Sequence, residues 1–151
     1  MLHVALWEPE IPPNTGNVAR LCAATDTRLH LIGRLGFRLD DRSLKRAGCD
    51  YWPSVDVRIH AAMSDLYAEL PEGRVWVVET PGERTYTQAD FAEGDCLLFG
   101  SESRGLPEEV RERHADRLIG IPMPTGKVRS LNLATAVGIV LYEALRQTQG
   151  W

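Results

Sequence analysis

The segment "NTGNVAR", residues 14–20, carries the first residues whose types and spacing suggest chemistry. It follows the apolar run "LHVALW" and a proline-rich turn, so it lies where a strand gives way to a helix. We expect Asn14 or Thr15 to cap that helix, whose N-terminus attracts anions, and the planar fork of Arg20 to suit a phosphate. Taken alone, the segment is explained more simply by an ordinary helix start with a solvent-facing arginine.

A second candidate is the loop within "LLFGSESRGLP", residues 97–107, which follows a buried apolar run. Its glycine spacing is that of a P-loop, but Leu106 and Pro107 stand where that motif needs lysine and serine or threonine. Glu102 would also repel a triphosphate. We therefore expect the loop to offer backbone groups to a neutral or cationic ligand. The alternative is a plain strand-to-helix connection with Pro107 at the helix start.

The third candidate is "IPMPTGKVRSLNLATAVGIVLYEA", residues 121–144, a proline-glycine loop followed by an apolar helix that we expect to begin at Ser130. Asn132 and Tyr142 are polar positions on this helix. Small residues along it allow another backbone to approach closely. That backbone belongs either to the same chain, which the sequence alone slightly favours, or to a second subunit. The small residues are Ala134, Ala136 and Gly138.

Apolar runs alternate with helix-like segments along the whole chain, which predicts one α/β domain over residues 1–151. The runs are nearly continuous, as is typical of a mostly parallel sheet with helices on both faces. The predicted strands are 3–7, 28–32, 55–59, 74–79, 96–100 and 117–121. The predicted helices are 16–25, 40–47, 60–69, 107–114 and 130–147.

Composition limits the possible function classes. The net charge of −4 argues against nucleic-acid binding unless basic residues cluster locally. Three widely spaced cysteines predict a reduced, cytoplasmic setting, and four histidines without ligand-type spacing argue against a metal. We expect no signal peptide and no membrane span. No GxGxxG follows a strand, and none of the three candidate segments contains a histidine for a nucleophilic triad.

Together with "GFRLDDRSLKRAGCDYW" at 36–52, the three segments resemble the SPOUT-class RNA ribose 2′-O-methyltransferases. Within that class, the chain is similar to the small stand-alone enzymes that modify the wobble nucleotide of tRNA, cytidine or uridine 34. The similarity runs nearly end to end, although Ser101 stands where the family pattern has proline. It implies an α/β fold with a deep trefoil knot in its C-terminal half.

The resemblance implies S-adenosylmethionine as the cofactor, bound without a metal by the knot loops, largely through backbone groups and apolar walls. It places Arg20 beside the reacting ribose, where a guanidinium aligns the 2′-oxygen and stabilises a developing alkoxide. The implied cofactor residues are Val78, Gly100, Glu102, Ile121 and Ser130. The other implied catalytic residues are Asn14 and Asn17, which hold the arginine segment, Ser130 and Asn132, which face it, and Tyr142, which supports the site or the interface.

The implied substrate is the anticodon stem-loop of a tRNA, held by a homodimer whose two active sites are completed across the interface. We expect a local cluster of basic residues to bind RNA although the net charge of the chain is negative, because contacts to phosphates dominate RNA affinity. Two alternatives stay open: 2′-O-methylation at another tRNA or rRNA site, and a non-catalytic RNA-binding module on the same scaffold. The basic residues are Arg34, Arg38, Arg42, Lys45 and Arg46, with Lys127 and Arg129 beside the third segment.

Overall fold

The computed structural model describes residues 1–39, 42, 52–70, 74–80, 82 and 84–151. Most of the predicted helix over 40–47 lies outside the described residues, and so do the basic residues Lys45 and Arg46. Among the residues that are described, no helix is both long enough and apolar enough to cross a membrane.

Seven strands form one sheet: β1 (His3–Trp7), β2 (Arg28–Ile32), β3 (Val57–His60), β4 (Val75–Val78), β5 (Arg84–Thr85), β6 (Cys96–Phe99) and β7 (Leu118–Gly120). Their order across the sheet is β3-β2-β1-β6-β4-β7-β5. All neighbouring pairs are parallel, which confirms the predicted α/β class. The sequence pattern does not predict β5, because two residues carry no apolar run.

Four α-helices accompany this sheet in the described part of the chain: α1 (Pro12–Thr25), α2 (Met63–Glu69), α3 (Glu108–Arg113) and α4 (Leu133–Gln149). Alternate strand residues pack against different helices. Val4 and Leu6 belong to a core cluster that includes residues of α1 and α4, while Ala5 belongs to a second cluster with residues of α2 and α3. The sheet is therefore covered on both faces, as predicted.

The start of α1 corrects the sequence prediction. The helix begins at Pro12, not residue 16, because prolines occupy its first two positions, where the missing N–H group costs nothing. Its N-cap residue is Ile11, which makes no side-chain capping bond. Asn14 and Thr15 are thus buried residues of the first helical turns rather than the caps that the sequence indicated.

The start of α4 also differs from the prediction. The helix begins at Leu133, and Ser130 lies three residues before it in the preceding loop. Asn132 is the N-cap, and its side-chain oxygen accepts a hydrogen bond from the backbone N–H of Thr135 at 3.2 Å. This bond satisfies one of the free N–H groups at the helix start, which explains why the helix begins here.

Two backbone segments cross without room for a side chain at the end of β7. A Cβ atom added to Gly120 would lie 2.6 Å from the backbone nitrogen of Gly82, and one added to Gly82 would meet the backbone of Gly120. Both obstacles are backbone atoms, so no rotamer change relieves them. The segment before β5 therefore lies directly against the end of β7, with which β5 pairs at Thr85 and Gly120.

We expect Gly120→Ala to lower the free energy of unfolding by about 2 kcal/mol or more, since it forces two backbones apart. Urea unfolding followed by circular dichroism measures this loss. Gly94→Ala is the control, because Gly94 has a φ of +88° but nothing within 4 Å of an added Cβ. We expect Gly94→Ala to lower the free energy of unfolding by about 1 kcal/mol, from backbone strain alone. Equal losses in the two variants would contradict the tight crossing.

Candidate functional site

The carboxyl ends of β4, β6 and β7 open into a cavity of about 690 Å³. In parallel α/β sheets, ligands bind at this edge of the sheet. Its walls come from the ends of the three strands, the loop after β6, the segment before α4, and the start of α1. The five residues that the resemblance implies for the cofactor all line it: Val78, Gly100, Glu102, Ile121 and Ser130.

The loop after β6 closes on itself through two backbone hydrogen bonds. The N–H of Ser101 donates to the carbonyl of Gly105 at 3.2 Å, and the N–H of Gly105 donates to the carbonyl of Ser101 at 2.9 Å. A Cβ atom on Gly100 would strike the backbone of Gly105, whose own φ is +65°. The two glycines of the P-loop-like spacing thus close a compact loop.

The side chain of Glu102 extends from this loop to the start of α1 and caps that helix. Its carboxylate accepts hydrogen bonds from the backbone N–H groups of Glu10 at 2.9 Å and Ile11 at 2.8 Å, and from the amide of Asn14 at 3.2 Å. Two of these donors are the N–H groups of the N-cap residue and of the residue before it, so the negative charge lies beside the positive end of the helix dipole. The sequence predicted that an external anion binds this helix end, but the structure gives the position to a carboxylate of the same chain.

Glu10 makes the reverse connection, from the start of α1 to the loop after β6. One of its carboxylate oxygens accepts hydrogen bonds from the Ser101 hydroxyl at 2.7 Å, the Ser103 N–H at 2.9 Å and the Ser103 hydroxyl at 2.6 Å. The bonds from Ser103, followed by the one from Ser101, lower the pKa of Glu10 from 4.5 to about 2. We call this exchange of carboxylates between Glu10 and Glu102 the reciprocal clamp.

The sequence analysis did not identify Glu10 as a residue of the site, although the unusual serine at position 101 pointed to a polar partner. The family pattern has proline at position 101, and a proline has no hydroxyl to donate to Glu10. The serine therefore adds a hydrogen bond to the reciprocal clamp in this chain.

Asn14 extends the reciprocal clamp to α4. Its side-chain oxygen accepts a hydrogen bond from the Asn132 amide at 2.9 Å, while its own amide donates to Glu102. One polar chain thus joins the loop after β6, the first turn of α1 and the N-cap of α4. The sequence-predicted residues Asn14 and Asn132 are brought together, with the role of fixing the relative positions of three segments.

Arg20 lies in a second cavity, of about 400 Å³, between α1 and α4. Asn17 lines this cavity too, and Asn132 lines both cavities. Among the described residues, none forms a hydrogen bond or ion pair with Arg20. Ser130 lines the first cavity and not that of Arg20.

Tyr142 lines neither cavity. Its side chain is 43% exposed, and its ring centroid lies 6.0 Å from that of Trp151, which is 65% exposed. The structure therefore places Tyr142 away from the site of its own chain, on an exposed aromatic pair at the end of α4.

The first cavity has both apolar and charged walls. Val78 and Ile121 supply apolar wall, and Glu79 and Glu102 line it as well. Both carboxylates already have partners within the chain, because Oε2 of Glu79 lies 3.5 Å from Nε of Arg111 and Glu102 caps α1.

A parallel α/β sheet with a cavity at its carboxyl edge is common to many ligand-binding proteins, and comparison with known proteins identifies the family. Residues 1–142 match the SpoU rRNA Methylase family, and the chain belongs to it. The tRNA (cytidine(34)-2'-O)-methyltransferase of Methylovorus glucosotrophus is 45% identical over 148 residues, which are 97% of this chain and 96% of that one.

Solved structures agree with this assignment. A chain studied for "the 2-OH methylation of C/U34 on tRNA" shares 55% identity with a TM-score of 0.93, over 100% of this chain and 98% of that one. An AdoMet-bound rRNA methyltransferase from Sinorhizobium meliloti shares 29% identity with a TM-score of 0.81, over 96% of this chain and 56% of that one. The resemblance stated from the sequence is confirmed.

We expect Glu10→Gln to destabilise the chain at pH 7, because the amide replaces a carboxylate that accepts three hydrogen bonds. The folded-state pKa of Glu10, about 2, lies below its ordinary 4.5. Its contribution is thus complete above pH 4.5 and is lost as the pH falls toward 2. Urea unfolding at a series of pH values should therefore show the difference from wild type shrinking below pH 4.5.

Glu112→Gln is the matched control, since Glu112 is an exposed glutamate of α3. Its stability difference from wild type should change little over the same range. A Glu10→Gln difference that stays constant down to pH 3 would contradict the reciprocal clamp.

Proposed function

We propose that this chain transfers a methyl group from S-adenosylmethionine to the ribose 2′-hydroxyl of the wobble nucleotide, cytidine or uridine 34, of tRNA. The observation that carries the proposal is the convergence of the five implied cofactor residues on one cavity in a chain related to C34 methyltransferases over nearly its whole length. The alternatives, another tRNA or rRNA position or a non-catalytic RNA-binding module, become outcomes of the experiments below.

The first cavity fits S-adenosylmethionine in size and in chemistry. About 690 Å³ lies within the roughly 300–1,000 Å³ typical of small-molecule sites. The closed loop after β6 offers peptide groups, and Val78 and Ile121 offer apolar walls. When bound, the cofactor would supply a methyl group on a good leaving group, and the closed loop after β6 would take the place of a GxGxxG loop.

Arg20 acts on the ribose rather than on the cofactor. Its exposed guanidinium is free of described partners and is therefore available to the 2′-oxygen and an adjacent phosphate of bound RNA. A guanidinium is not deprotonated in proteins, so Arg20 is not the base. It aligns the nucleophile and stabilises the alkoxide that develops on it, while the neighbouring phosphate assists loss of the proton.

A homodimer brings the two cavities into one active site. Within one chain Arg20 lines a different cavity from the implied cofactor residues, so an Arg20 from a second subunit can complete the site. Exposed apolar residues are available to the interface that this requires: Ile11, Tyr142 and Trp151. The tight crossing of Gly82 and Gly120 supports a C-terminal trefoil knot, in which one chain segment is threaded past another.

The single domain, residues 1–151, provides its own RNA surface. Described basic residues are exposed on it at Arg34, Arg38, Lys127 and Arg129, the last of which lines the first cavity. A surface this small suits an anticodon stem-loop, whose unpaired nucleotides expose their riboses. Such a substrate, with the buried unpaired thiols Cys22 and Cys96, fits a cytoplasmic enzyme.

We expect Arg20→Ala to lower the rate of methyl transfer roughly a hundred- to a thousandfold, the usual effect of losing one transition-state donor. Cofactor affinity should stay within a few fold, because Arg20 does not line the first cavity. Arg20→Lys should restore little, since an ammonium lacks the planar fork. Single-turnover kinetics and calorimetric titration with S-adenosylhomocysteine measure the two effects. Arg58→Ala, on exposed β3, is the control.

A mixing experiment tests whether Arg20 of one subunit acts at the cofactor cavity of the other. Ser130→Trp places a bulky side chain in the first cavity and should abolish cofactor binding. Mixed after denaturation and refolding, Arg20→Ala and Ser130→Trp subunits should regain activity, because one heterodimer site then has an intact cavity and an intact arginine. No recovery, with heterodimers shown by mass spectrometry, would mean that Arg20 serves its own chain.

The substrate is identified by mapping the methyl group on tRNA treated with the pure protein. We expect a 2′-O-methyl group at pyrimidine 34, with binding that weakens steeply as salt rises. A methyl group on another ribose would retain the enzyme class and refute the position. No methyl group on any RNA, together with RNA binding, would support the non-catalytic module.

A further inference from the structure

Three histidines form a buried row across the sheet, on the face opposite α1 and α4. The Nδ1 atom of His3 lies 2.9 Å from Nε2 of His30, and Nδ1 of His30 lies 2.9 Å from Nε2 of His60. All three are buried, and His30 is fully inaccessible to solvent. The methyltransferase site uses none of them.

The strand register creates this row. His30 pairs with Ala5 rather than with His3, and His60 pairs with Ile32 rather than with His30, so each histidine lies two residues beyond the one before it. A shift of two residues keeps all three side chains on one face, the face of Ala5 and Ile32, which α2 covers. Such a group of histidines cannot be recognised from sequence spacing, since its members come from three different strands.

Glu69, in the last turn of α2, brings a carboxylate to this row. One potential ligand atom each from His30, His60 and Glu69 lies within 4.8 Å of the other two. The two histidines are buried while Glu69 is exposed. The group therefore has two imidazole nitrogens, one carboxylate and an open side toward solvent, which is the donor set of three-ligand zinc sites.

We propose that His30, His60 and Glu69 bind one divalent transition-metal ion, for which zinc is the best fit. The ion replaces the proton that Nδ1 of His30 and Nε2 of His60 share. Tetrahedral zinc needs these nitrogens about 3.3 Å apart, so the pair opens by a few tenths of an ångström from 2.9 Å. His3 accepts the hydrogen bond from the other ring nitrogen of His30 and holds that ring in place, as a positioning residue.

The ion would join β2, β3 and α2. Binding would stabilise the folded state without touching the methyl-transfer cavity, which the sheet separates from this face. The site is thus structural or regulatory, and its existence does not depend on the proposed methylation.

The test uses the full chain without a polyhistidine tag, stripped with a chelator and titrated with zinc in a calorimeter. We expect one site per chain and a rise in Tm. Cobalt should give the visible absorption of a tetrahedral nitrogen and oxygen site. His60→Gln and Glu69→Gln should each weaken zinc binding by about tenfold or more, and His3→Gln by about tenfold.

Glu69→Gln keeps the test decisive, because this exposed residue is the least able to disturb folding. His114→Gln, which removes the remaining histidine, is the control and should bind zinc like the wild type. S-adenosylhomocysteine affinity should be equal with and without zinc in all variants. Absent or weak multi-site binding, or zinc affinity unchanged by both His60→Gln and Glu69→Gln, would overturn the proposal.

Discussion

The arrangement of the site depends on the exchange of carboxylates between Glu10 and Glu102. Each glutamate accepts hydrogen bonds from the segment that carries the other, so the start of α1 and the loop after β6 fix one another. Asn14 forms hydrogen bonds with both Glu102 and Asn132, so the start of α4 is fixed relative to the same two segments. All three segments border the first cavity, whose shape therefore follows from a few charge-assisted hydrogen bonds.

Local sequence patterns predicted most of the sheet and misplaced the helix ends. β1 and β2 match their predicted bounds because a strand buried on both faces must be a continuous apolar run. β5 carries no such run, and α1 begins early because prolines are tolerated at its first two positions. The cap of α1 comes from Glu102, about ninety residues away, which no local pattern encodes.

The sequence analysis named residues that line the first cavity and missed some of the contacts around them. Val78 ends β4, and Gly100 and Ile121 directly follow β6 and β7, so a parallel sheet necessarily brings these positions to one edge. Glu10 and the histidine row depend on pairings between distant segments, which one sequence does not reveal. Arg20 was found by residue type, but its separation from the cofactor cavity appears only when α1 and α4 are packed together.

The central place of β1 has a consequence for how the chain is made. β1 lies between β2, which follows it closely, and β6, which is synthesised about ninety residues later. Until α4 has been synthesised, the apolar face that β1, β2 and α1 present to it stays uncovered. Contacts of this long range also fold slowly. The nascent chain therefore exposes an apolar surface until α4 emerges, and this is the period in which it is most prone to aggregate.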